Sequence, residues 1–235
     1  MDTKQKATFR RNRKTILSFD CTSVCHRLAA GNPCAYCYVE AARNSGYRPK
    51  RKVEYLPYDN WVLRLKQETV EKLNECGGVR MFSHGDYVAK HRQDVVRFLD
   101  DCHLRGLKAK AITKVETFLR HHHNHPALAV CHVSIDSLGK VGGSPISFEK
   151  AKTLRKVYPK ALVRCVCLSP EDLTYFGKQH WVDIITLNHG QNGFHQFTKA
   201  EKAAAALKYG DRLCCSASIC SSCNIKCKST DCLAA

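Results

Sequence analysis

Short apolar runs alternate along the chain with longer segments of helical period. Thr15-Ile-Leu-Ser-Phe-Asp20 is a β-prone run leading into the first cysteines, and Tyr38–Asn44 reads as the start of a helix after them. Residues 59–76 carry Trp61, Leu63, Leu65, Val70 and Leu73 on most of one helical face, and Gly77-Gly78 ends the pattern. Val79–Ser83 predicts a strand and Gln93–Leu104 a helix with Val95, Val96, Phe98 and Leu99 inward, closed by Gly106. The same alternation continues with strands at Ala109–Thr113, Ala127–Ile135, Ala161–Leu168 and Trp181–Leu187. The intervening helices are expected at Thr117–His123, Ser147–Val157, Glu171–Gln179 and Lys199–Lys208. Strand–helix alternation implies parallel βαβ units. Six such strands suit an incomplete (β/α)6 barrel better than the closed eight-stranded form, which takes ~250 residues. In sheets of this kind the chemistry sits at the C-terminal ends of the strands.

Composition changes that picture in two respects. At 235 residues and 44% hydrophobic, the chain suits one domain with a small appendage. No apolar run approaches the ~18–20 residues of a membrane span, and the basic start MDTKQKATFRRNRK lacks an apolar h-region, so a cytoplasmic protein is expected. The expected division is a basic tail over 1–14, the barrel over 15–210 and a Cys-rich extension over 211–235. The formal net charge is +17, with six cations in Lys4–Lys14 and four in Arg48–Lys52. Such an excess points to a polyanionic partner, a nucleic acid or nucleotide, although a solubilising tail and a solvated loop would carry the same charges.

The second respect is the 15 cysteines, of which four fall in Cys21–Cys37 and six in Cys214–Cys232. Clustered thiols without a secretory leader favour metal ligation over disulfides. Cys25, Cys34 and Cys37 can wrap one corner of a [4Fe–4S] cluster, leaving one iron open for a small molecule. Cys21 is the alternative first ligand, and zinc held by all four, or buried thiols, remain open. In the tail, Cys220, Cys223 and Cys227, with Cys215 or Cys232 as a fourth ligand, fit a second cluster or a structural zinc. Cys131, Cys165 and Cys167 lie within expected strands as small core residues, and Cys76 and Cys102 lie on helices. His121-His-His-Asn-His125 reads first as a solvated helix end, with a metal site as the lesser alternative.

Cys34-Ala-Tyr-Cys37-Tyr38 resembles the second half of the radical S-adenosylmethionine (SAM) signature, in which an aromatic residue precedes the last cysteine. The family spacing is C-x3-C-x2-C, whereas eight residues separate Cys25 from Cys34, and the whole is similar to small phage-type radical-SAM-like iron–sulfur proteins. Ser83-His-Gly-Asp-Tyr87 is similar to the family's Gly-Gly-Glu-type element, and Thr113-Lys114 to a Tyr-Thr-Lys strand end of the phage-type proteins. The resemblance implies a radical-SAM-type barrel in which Gly85 and Asp86 receive the SAM amino group. It further implies that Ser134 or Asp136 contacts SAM, that Arg164 pairs with its carboxylate and that Asn188 lies near adenine or substrate. Asp136 or Ser137 capping a turn is an equal alternative. The activity so implied is reductive cleavage of SAM to start radical chemistry on a nucleic acid or nucleotide, with a flavodoxin or ferredoxin as electron donor. A zinc-stabilised nucleic-acid-binding module is the non-catalytic alternative.

Overall fold

The apolar runs become strands of a single parallel sheet. The computed structural model of the chain describes residues 17–23, 25, 53–75, 77–82, 85–136, 146–187 and 194–214. Within them lie β1 (Ser18–Phe19), β2 (Val79–Met81), β3 (Ala109–Thr113), β4 (Leu128–Asp136), β5 (Ala161–Cys167), β6 (Ile184–Leu187) and β7 (Leu213–Cys214). The helices are α1 (Gln67–Glu75), α2 (Arg92–Leu104), α3 (Glu116–His122), α4 (Phe148–Val157), α5 (Pro170–Gly177) and α6 (Lys199–Tyr209). Every neighbouring strand pair is parallel, and the seven-stranded order β1-β2-β3-β4-β5-β6-β7 follows the chain. Parallel crossovers are right-handed, so an order that never reverses sends every connecting helix to the same face. This is the singly wound arrangement of a barrel cut open, in contrast to a doubly wound sheet with its reversal point.

Strand alternation then sorts the side chains. Phe19, Met81, Ala111, Val133, Val163, Cys165 and Ile185 share one buried cluster with Val95, Phe98 and Leu99 of α2, Phe118 and Leu119 of α3, Leu154 of α4 and Phe176 of α5. Cys131, Cys165 and Cys167 belong to that core, as does Cys102, and burial pushes their thiols up. The positions between them, among them Arg80, Lys110, His132, Ser134, Arg164 and Thr186, take the opposite face by the same alternation. Val166 and Leu168 form a separate small cluster with Phe194 there.

Local signals set the helix ends. Ser147 accepts from Lys150 N at 3.2 Å to start α4. Ser169 accepts from Asp172 N, with Pro170 opening α5. Thr198 and Glu201 form a reciprocal capping box at α6. After α1, Gly78 adopts φ 95° and packs so closely on β3's approach that a Cβ would meet the Lys108 carbonyl oxygen at 2.1 Å.

Three expectations change. The helix expected over residues 59–76 is a 3-10 turn, Trp61–Arg64, followed by α1. Asn60 is left-handed and Leu65 is extended, with its carbonyl taken by Arg105 Nη2 at 2.6 Å, so the two pieces cannot be collinear. Leu63, expected inward, is therefore exposed. The sheet gains β7 beyond the six expected strands, reaching into the segment read as the extension. The basic tail, Tyr38–Asn44 and residues 215–235 lie outside the described residues. Among the described residues no helix is long and apolar enough to cross a membrane.

Candidate functional site

The C-terminal ends of β1 and β2 are joined by a polar contact. Gly85 N donates to Asp20 Oδ1 at 3.1 Å, tying the loop after β2 to the residue that follows β1. A Cβ at position 85 would lie 2.6 Å from Thr22 Oγ1, so this approach requires glycine. Thr22 is 1% exposed, and its hydroxyl has no hydrogen-bond partner among the described residues. An orphaned buried hydroxyl costs about 1–3 kcal/mol, which marks Thr22 as a group waiting for a ligand or a water.

The chain leaving β1 is held by the segment before α1. Leu56 N donates to the Cys21 carbonyl and Ser23 N to that of Glu54, each at 2.9 Å, around an antiparallel bridge between Thr22 and Tyr55. That segment is pinned to α2: Tyr55 stacks on His91 at 4.2 Å and donates its hydroxyl to Asp94, and Tyr58 N donates to the other Asp94 oxygen at 3.2 Å. Cys21 itself points into the helix-side core. Burial, with the carboxylates of Asp94 and Asp20 adding, pushes its thiol up to about 12. Its side chain is enclosed by the apolar core and so is withdrawn from the rim at the strand ends. Cys25 is half-buried. Cys34, Cys37, Cys215, Cys220, Cys223, Cys227 and Cys232 lie outside the described residues, as does Asn188.

Asp86 is more heavily engaged than the sequence suggests. Its Oδ1 accepts from Tyr87 N at 2.7 Å and from the Thr113 hydroxyl, and its Oδ2 accepts from Lys114 N at 2.9 Å. Burial pushes its carboxyl above the ordinary carboxylate range against those donors and the Lys114 charge. A carboxylate offers about four acceptor sites, so one on Oδ2 is left after this clamp between the β2 loop and the end of β3. Behind the clamp, Tyr87 is buried and its hydroxyl meets His121 Nδ1 at 2.7 Å and His122 Nε2 at 3.4 Å.

That contact corrects the reading of the histidine run as a solvated helix end. His122 is 3% exposed and belongs to the interior; burial, aided by the charges of His121, Arg92 and His125, pushes it down to about 4. His123 Nδ1 lies 3.0 Å from the Leu119 carbonyl, while His125 Nε2 meets Asp100 at 3.1 Å. His121 and His122 share the Tyr87 hydroxyl while His123 and His125 bond elsewhere, and among the described residues no group of three His, Cys, Asp or Glu is placed to hold a metal.

Further along the rim, Ser134 is buried and registers with Arg164 on β5. Arg164 Nε donates to Thr186 Oγ1 on β6 at 3.0 Å, which turns its guanidinium away from β2. Deeper on the same face, Arg80 and Lys110 are direct neighbours across β2 and β3, and Lys110 is only 2% exposed. Asp136 is the last residue of β4. Asp20, Thr22, Lys110 and Arg80 are the groups that residue-by-residue reading missed. A signal for the cations was present: VRM, AKAIT, LAVCHVSID and ALVRCVC each carry a basic residue at a position facing away from the helices. No protein-family model matches the chain, and comparison with curated proteins found no similar sequence.

Proposed function

We propose that this chain is a radical SAM enzyme that reductively cleaves SAM at a [4Fe–4S] cluster and acts on a nucleotide or nucleic acid. The observation that carries the reading is the junction of the β1 and β2 ends. There the chain running into Cys25 lies against Gly85-Asp86, at the C-terminal edge of a singly wound parallel sheet. Of the three proposed cluster ligands Cys25 is among the described residues, and Thr22, Gly85 and Asp86 beside it suit the amino end of SAM. Cys25, which is half-buried where Cys21 is enclosed by the core, is the first ligand in this reading, with Cys34 and Cys37 of the same sequence motif completing the set. The unpartnered Thr22 hydroxyl and the acceptor site left on Asp86 suit a primary ammonium beside a backbone free of Cβ. Bound there, cluster and SAM would supply one-electron cleavage of the sulfonium to methionine and a 5′-deoxyadenosyl radical.

The chain's own part is to orient and to desolvate. The Asp86 clamp fixes the β2 loop on β3, and the Tyr55 and Tyr58 contacts to Asp94 hold the chain leaving β1 on α2. The test is anaerobic purification followed by dithionite reduction with SAM. Brown protein that releases 5′-deoxyadenosine is expected, with the activity lost in Cys25→Ala and Cys34→Ala and kept in Cys21→Ala. Colourless protein with stoichiometric zinc would refute the proposal in favour of the non-catalytic module.

A further inference from the structure

We infer that the polar face formed by Lys114 just after β3, Ser134 on β4, Arg164 midway along β5 and Thr186 on β6 is a phosphate-binding site that anchors the substrate. That the bearer is a substrate rests on the function proposed above, whereas the phosphate site itself does not depend on the cluster. It stands on the geometry of the sheet face opposite the helices.

Register sets the row. Thr113 pairs with Val133, which puts Lys114 and Ser134 side by side one step further along, and Ser134 pairs with Arg164. Adjacent strands lie about 4.8 Å apart. Lys114, Ser134 and Arg164 therefore stand on three successive strands of one face, a hydroxyl between two cations. Thr186 completes the row by accepting from Arg164 Nε. That contact uses the inner nitrogen of the guanidinium and orients the fork. The two terminal nitrogens have no hydrogen-bond partner among the described residues, and they are the pair that grips a phosphate in bidentate fashion.

The methionyl carboxylate of SAM is the competing occupant. It sits on the same carbon as the ammonium, so a residue that binds it must lie close to whatever binds the amino group. Arg164 is three strands from β2, about 14 Å along the sheet, and it leans further away toward β6. A phosphate held here faces the rim where Gly85 and Asp86 lie, so its bearer is a nucleotide-class substrate in preference to a peptide or a neutral base.

Calorimetric titration of the full-length protein under anaerobic conditions, at fixed salt, tests this with inorganic phosphate, adenosine 5′-monophosphate and adenosine as probes. Phosphate and the monophosphate should bind, with adenosine at least tenfold weaker. Arg164→Gln should weaken both anions at least tenfold, and Arg164→Lys, which keeps the charge on the face, should fall between. Lys199→Gln, an exposed cation at the start of α6, should leave them unchanged. Saturating SAM should leave phosphate binding intact. Equal losses in Arg164→Gln and Lys199→Gln would reduce the effect to general basicity and overturn the site. Displacement of phosphate by SAM, one for one, would assign the row to the methionyl carboxylate and overturn the substrate assignment. Because the readout is binding, failure of SAM cleavage leaves this test intact, and failure here leaves the cleavage test intact.

Discussion

Removing the Asp86 carboxylate tests whether it is a clamp or a free ligand arm. In Asp86→Ala, the backbone N–H groups of Tyr87 and Lys114 and the hydroxyl of Thr113 lose their acceptor. Each orphaned donor costs about 1–3 kcal/mol where water cannot replace the partner. At the low end of that range the three together come to about 3 kcal/mol. Asp86→Asn is milder. Its carbonyl can keep Tyr87 N and Thr113, but its amide then faces Lys114 N, one donor against another, for about 1–2 kcal/mol. Urea unfolding followed by far-UV circular dichroism gives both numbers, provided the slope with denaturant is unchanged. If Asp86→Ala lies within about 0.5 kcal/mol of the parent, the typical scatter of a neutral surface substitution, the carboxylate clamps nothing. Asp86 would then be the unencumbered SAM ligand that the motif resemblance implies.

Stability should also fall in mild acid because of His122. Its folded value is depressed to about 4 from an ordinary 6.5, so the native state holds it neutral, and its contribution is complete above 6.5. As pH drops through that window the unfolded chain takes up the proton first, removing up to about 3 kcal/mol. His122→Gln should flatten the profile between those limits, and parallel profiles would refute the assignment. Gly85→Ala should lose about 1–3 kcal/mol through the contact with Thr22. Thr22→Ala in the same background should restore part of it, and strict additivity of the two would show that the side chains do not meet. Thr22→Val alone, which replaces an orphaned hydroxyl by a methyl, should leave stability unchanged or raised while weakening SAM binding; undiminished SAM affinity would remove Thr22 from the site.

The sequence by itself determined the order of elements. Ala109–Thr113 forms as a strand with the expected limits, and the helices at 93–104, 147–157 and 199–208 shift by a residue or so. These segments are legible because period and cap act over neighbouring residues: the capping box at Thr198 and Glu201 is a local hydrogen-bond pattern. Gly85 and Asp86 were legible as a pair after a strand. Only the tertiary structure decided what the pair does, because Thr113, Lys114 and Asp20 come from strands remote in sequence. The same holds for Cys21 against Cys25, which look alike in a motif but differ in the core that surrounds them. His122 reads in sequence as part of a solvated helix end, and Tyr87 packed against it makes it an interior residue. The break at Leu65 escaped periodicity because its cause, the Arg105 guanidinium, sits 40 residues away. Local spacing names the chemistry a residue can do; partners that meet only when parallel strands align decide whether it is left free to do it.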